Sequence, residues 1–143
     1  MRMIGIGAAM VMMIALAGGA CAQPAATAEA PQGRWITASG NLEVEIAPCG
    51  EALCGTIVRV IANNAMSGSG QSDAPPPEEG GLLITELRRD GAAWRGRIFN
   101  REDGRTYDCV VRPRAAGALE VRPYVGIEAI GRSQIWRRPA PSN

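Results

Sequence analysis

The run Trp94-Arg95-Gly96-Arg97-Ile98-Phe99-Asn100, a turn at Asp103-Gly104, and the run Arg105-Thr106-Tyr107-Asp108-Cys109-Val110-Val111-Arg112 decide the fold. Each run is short, rich in β-branched and aromatic residues, and bounded by a turn signal. Asp-Gly supplies the positive-φ residues that a tight hairpin needs, so the pair reads as two antiparallel strands. Upstream, Leu82 to Arg88 leads into a second such dipeptide, Asp90-Gly91. Downstream, Ala115-Ala116-Gly117 turns the chain into Ala118 to Val125, and Ser133 to Arg138 closes the series. Towards the N-terminus, Gly33 to Ala38 forms a first strand, followed by a turn at Ser39-Gly40-Asn41. Leu42-Glu43-Val44-Glu45-Ile46 alternates apolar and acidic residues as a half-buried strand does. Leu53 to Ile61 completes the set, and no window of about 11 residues carries a helical stripe.

About eight short strands with turns between most of them imply an antiparallel meander, either a sandwich or an up-and-down barrel. Closure removes exposed edges, so the expected fold is all-β, a small antiparallel up-and-down β-barrel with little helix. One segment is out of proportion. Residues 62–81 hold Ser-Gly repeats and three consecutive prolines, and a loop that long is uncommon in a small domain. It reads as a long flexible loop, either a surface insertion or a lid over one barrel end.

The chain has 143 residues, no His and no Lys. Met1-Arg2-Met3 places positive charge before the uncharged apolar run Ile4 to Ala17, and Ala20-Cys21-Ala22 fits a small-x-small cleavage site. The run is about 14 residues, short of the roughly 20 that a spanning helix needs. Residues 1–22 therefore read as a signal peptide, and the protein as periplasmic or secreted. Lipidation at Cys21 is the alternative, and it alone would give a membrane attachment; Leu16 lies too far back for a well-formed lipoprotein signal. Residues 23–32, rich in Ala and Pro, read as a disordered leader, 33–138 as the β-barrel domain, and 139–143 as a loose tail. Without Arg2, 14 Arg balance 14 acidic residues. A neutral chain with no basic block argues against nucleic acid. The absent imidazole excludes His-based triads and His-ligated zinc, and the residues point to no cofactor and no metal.

Cys49 and Cys54 lie between two expected strands, and an exported chain meets an oxidising compartment, so a disulfide is expected. Cys109 is left over and shares a strand face with Tyr107 and Val111, which predicts a buried, inert thiol. Alternate residues along the strands give a candidate interior: Val44, Ile46, Val58, Val60, Leu83, Leu87, Trp94, Ile98, Tyr107, Val111, Leu119, Val121 and Trp136. Trp94, Ile98, Tyr107, Val58, Leu87 and Trp136 are the candidate ligand pocket. An eight-stranded barrel is just wide enough to be filled or to hold one small ligand. Arg95, Arg97 and Arg101, joined by Arg112, Arg122 and Arg132, read either as an anion patch or as solvated strand faces paired with Glu43, Glu45, Glu86 and Glu120. For catalysis, Asp103 and Asp108 flank Tyr107, but Asp103 belongs to a turn and Asp108 points away. No nucleophile has an identifiable base, so no catalytic residue is assigned.

Gly33-Arg34-Trp35 at the start of the domain and Arg138 at its end resemble the lipocalin and wider calycin signature, with Arg137 the alternative arginine. That resemblance implies a Trp plugging the closed barrel end and an Arg packed across its ring. A wider set of matches covers nearly the whole domain: Cys49-Gly50 with Leu53-Cys54-Gly55, Trp94 to Asn100, and Asp103 to Tyr107. It continues through Leu119-Glu120-Val121-Arg122, Tyr124-Val125-Gly126 and Ser133 to Arg138. With these the chain resembles domain-of-unknown-function family 2147, small exported bacterial proteins. The resemblance implies a calycin-like barrel and export, and no particular activity. The reading is an exported envelope protein, non-catalytic, binding a small apolar or amphipathic ligand. The alternative is an envelope protein-interaction module with a filled core.

Overall fold

The structure, a computed structural model, describes residues 30–65, 70–115 and 117–141. The expected signal peptide, Cys21 and most of the leader lie outside the described residues, as do four residues of the long loop and the last two of the tail.

Alternation along Leu42 to Ile46 sends Leu42, Val44 and Ile46 into the core. The same parity, carried from strand to strand, builds β1 (Gly33–Ile36), β2 (Leu42–Cys49), β3 (Ala52–Val60) and β4 (Leu82–Asp90). It continues through β5 (Ala93–Asn100), β6 (Arg105–Arg114), β7 (Ala118–Tyr124) and β8 (Gln134–Arg137). Each strand pairs antiparallel with the next, and β8 returns to β1 to close the barrel. One 3-10 turn, Glu128–Ile130, is the sole helical element among the described residues. The seam is thin: β1 and β8 pair at Ile36 and Arg137.

Two bulges correct the expected interior. On β3, Glu43 pairs with Arg59 but Val44 pairs with Ile57, which leaves Val58 as the extra residue. The bulge turns Ile57 inward and Val58 out of the core, so strict alternation misplaces Val58. On β4, Thr85 pairs with Arg97 and Arg88 with Arg95, so Glu86 and Leu87 together oppose Gly96. Glu86 takes a left-handed φ of 53° there. Burying Leu87 completely contributes roughly 1.5–3 kcal/mol. That offsets about 1–2 kcal/mol for a left-handed non-glycine residue. Gly96 is required opposite the bulge, because a Cβ would lie 2.7 Å from the Thr85 carbonyl oxygen and 2.9 Å from the Leu87 Cα. Leu83 and Ile84 are both buried, since Gly55 pairs with Ile84 and Thr56 with Leu82, leaving Leu83 without a partner of its own.

Candidate functional site

The closed end is built from both ends of the domain. The Arg138 guanidinium lies 3.8 Å from the centre of the Trp35 ring. Its nitrogens donate to the carbonyls of Arg34 at 3.2 Å and Gln32 at 3.0 Å. The buried Trp35 indole donates to the Pro31 carbonyl at 2.9 Å. Gly33 sits at φ +109°, and a Cβ there would run into the Arg138 guanidinium. Gly33, Trp35 and Arg138 are thus one unit of mutual contact; Arg137 instead pairs in the strand ladder. Above this plug, Leu87, Cys109, Val111, Leu119 and Val121 are fully buried. Burial pushes the Cys109 thiol up to about 12. Cys49 and Cys54 are joined by a disulfide across the β2–β3 hairpin.

The opposite end is open. A cavity of about 390 Å³ runs into the barrel, bounded inside by the buried Leu42, Leu83, Ile98 and Trp136. Tyr107, Pro123 and Tyr124 also line it, and Val125 and Ile130 stand at its mouth, 68% and 71% exposed. Of the six residues expected to form the pocket, the structure brings Ile98, Tyr107 and Trp136 together. Leu87 lies in the filled core, and Val58 is displaced by the bulge. Trp94 is level with its strand partner Val111, towards the closed end and packed against the core, its ring under the Arg89 guanidinium at 5.2 Å. Strand pattern gives the face of a residue but not its height along the barrel axis; height separates Leu87 and Trp94 from the pocket, and the bulge removes Val58.

Asn41 is a rim residue that the sequence marks only as a turn. It is 1% exposed. Its side chain donates to the Asn64 carbonyl at 2.9 Å and accepts from the Asn64 N–H at 3.0 Å. Its own carbonyl accepts the N–H groups of Ile61 and Ala62. The long loop is thereby tied to the barrel mouth at its start, and its far end is tied through Gly80 and Gly81 to Ile57. Between them, Asn64 bridges Gln71. None of these side chains carries a pattern signal; what matters is a matched amide and backbone over a long separation.

Tyr107 donates its hydroxyl to the Asp103 carboxylate. The β5–β6 turn therefore brings Asp103 back to the strand, a contact that assigning it to a turn had excluded. The hydrogen bond holds Asp103 below the usual carboxylate range and raises the phenol. A raised phenol is the reverse of an activated nucleophile.

On the outer wall many of the arginines are partnered. Arg95 pairs with Asp90 and Glu128, and Arg112 with Glu128. Arg122 donates to the carbonyls of Glu128 and Ala129 and to Ser133. Together they hold residues 125–133 against β5, β6 and β7. Glu43 takes Arg34 and Arg59, and Glu120 takes Arg112 and Arg114. Arg101 and Arg132 differ: both line the cavity.

The family model described as "Uncharacterized protein conserved in bacteria (DUF2147)" matches residues 33–138, the whole barrel. The solved structure of protein HP1028 from Helicobacter pylori, described as belonging to the lipocalin family, superposes with a TM-score of 0.52. The two are 19% identical, over 69% of this chain and 73% of that one. At that identity the likeness establishes the shared lipocalin-like barrel. No curated protein matches the chain. The chain belongs to the DUF2147 family.

Proposed function

We propose that this DUF2147 protein is an exported, non-catalytic carrier or sensor that takes a small apolar or amphipathic molecule into the open end of its barrel. The observation that carries the reading is the cavity of about 390 Å³, closed by Trp35 and Arg138 at one end of the barrel and reached from solvent at the other. Ligand pockets occupy roughly 300–1,000 Å³ and favour the mouths of barrels, with apolar walls and a few polar groups. Side chains fill the interior from the closed end up to Leu83, Ile98 and Trp136, and the cavity beyond is of a size for one small guest. The likeness to a lipocalin-family protein is consistent with that use.

Export is supported by the charged and apolar N-terminal pattern, and by the Cys49–Cys54 disulfide, which suits an oxidising compartment. Native mass spectrometry of protein recovered from its own periplasm, followed by lipid extraction, tests the carrier. A co-purifying molecule of fixed mass is expected. An empty barrel, with no thermal shift across a panel of lipids and metabolites, would count against it. The mass of the mature N-terminus tests export, with a start at Gln23 expected and a lipid on Cys21 as the competing outcome.

A further inference from the structure

The cavity has a chemical asymmetry that its volume does not express. Among the described residues its lining includes two arginines, Arg101 and Arg132, and no Asp or Glu. Elsewhere on the barrel, Arg34, Arg59, Arg95, Arg112 and Arg114 each sit against a carboxylate. Arg88, Arg97 and Arg137 make no ion pair among the described residues but lie away from the cavity, so only at the cavity do unpaired guanidinium groups adjoin an apolar recess. At the cavity, Arg101 donates to the neutral amide oxygen of Asn63, which leaves its charge uncancelled. Arg132 is exposed and makes no ion pair among the described residues. Asp103, on the same turn as Arg101, lies outside the lining; it bonds the Tyr107 hydroxyl and the Arg105 backbone N–H and keeps its negative charge, which the Arg105 guanidinium beside it opposes. The inner wall is apolar and the outer ring is cationic.

We infer that the ligand is an anionic amphiphile, its tail among Leu42, Leu83, Ile98 and Trp136 and its carboxylate or phosphate head at Arg101 and Arg132. This rests on the carrier reading and narrows it. A planar guanidinium forms charge-assisted, two-pronged hydrogen bonds with such heads. A cationic head would meet like charge, and an uncharged head would leave two guanidinium groups beside apolar surface without a counter-ion. At roughly 30 Å³ for each water-sized group, the cavity of about 390 Å³ takes about 13 such groups, enough for a tail of about ten carbons together with its head.

Calorimetric titration of the full-length gene product with four ligands of one tail length tests this: decanoate, decyl phosphate, decanol and decyltrimethylammonium. Decanoate or decyl phosphate should bind at least about tenfold more tightly than decanol, and decyltrimethylammonium least of all. The better of the two anions identifies the head. Arg132→Gln and Arg101→Gln should each weaken the anions about tenfold and leave decanol unchanged, which also shows that the variants fold. Decanol binding as well as both anions would overturn the anionic head and leave the carrier standing. Inorganic phosphate alone binding as well as decyl phosphate would overturn the amphiphile. Binding of none of the four would count against the carrier itself.

Discussion

Arg138 does two jobs with one planar group: it stacks on Trp35 and donates to two backbone carbonyls of the entering chain. A lysine keeps the charge but has neither the plane nor the fork. Cation–π contacts at exposed sites contribute about 0.5–1 kcal/mol, and hydrogen bonds from charged donors add to that. Arg138→Ala should therefore lower the unfolding free energy by about 1–2 kcal/mol, and Arg138→Lys should restore less than half of the loss. Urea titration of the two variants beside the parent protein measures both. Equal stability of the Lys variant and the parent would show that charge alone matters. Here the resemblance to the calycin signature carries the reading of Gly33, Trp35 and a terminal arginine, and the ring contact selects Arg138 over Arg137. Asn41 lies at the other extreme. A buried amide that ties a loop to a rim looks in sequence like any turn asparagine.

Among the elements, the β2–β3 hairpin is pinned twice. Gly50 takes φ 69° in the turn, and the disulfide joins Cys49 to Cys54 across it with the Cα atoms 5.8 Å apart. Closing so short a loop stabilises by about 2 kcal/mol on the chain-entropy account. The double variant Cys49→Ser, Cys54→Ser should lose about that amount. Its denaturation midpoint should coincide with that of the parent protein under reducing conditions. A parent protein whose midpoint does not respond to reductant would refute the contribution. Cys109, fully buried on β6, takes no part in this exchange while the barrel is folded. The bulges on β3 and β4 show why the strand pattern was read well and the strand faces less so. A bulge adds one residue and inverts parity beyond it, and it is selected by the partner strand. Gly96 on β5 makes room for Glu86 and Leu87 on β4 across the hairpin, a requirement that alternation along either strand alone does not express.

Across the molecule, three glutamates of the outer wall are each held by two arginines. Hydrogen bonds from arginine lower the pKa of Glu43, Glu120 and Glu128 below their ordinary value of 4.5. A depressed folded-state pKa contributes stability that is present above the unfolded value and is lost as pH falls through the folded one. The midpoint of thermal unfolding should thus hold from neutral pH down to about 4.5 and then decline with acid. With no His in the chain, no side chain of ordinary pKa titrates between the carboxylates and neutrality, so the plateau should be flat. A step within that plateau, followed by circular dichroism, would contradict this account. The chain by itself determined the all-β class and about eight strands, which follow from local period and turn chemistry. The expected compartment pointed to the disulfide pair, and a family resemblance pointed to Gly33, Trp35 and a terminal arginine. Tertiary structure alone decided how far up the barrel the interior is filled, which six candidates would meet as three, and which arginines would be left without a carboxylate. Those outcomes depend on register and height between strands distant in sequence, where closing the barrel assigns every side chain its neighbours at once.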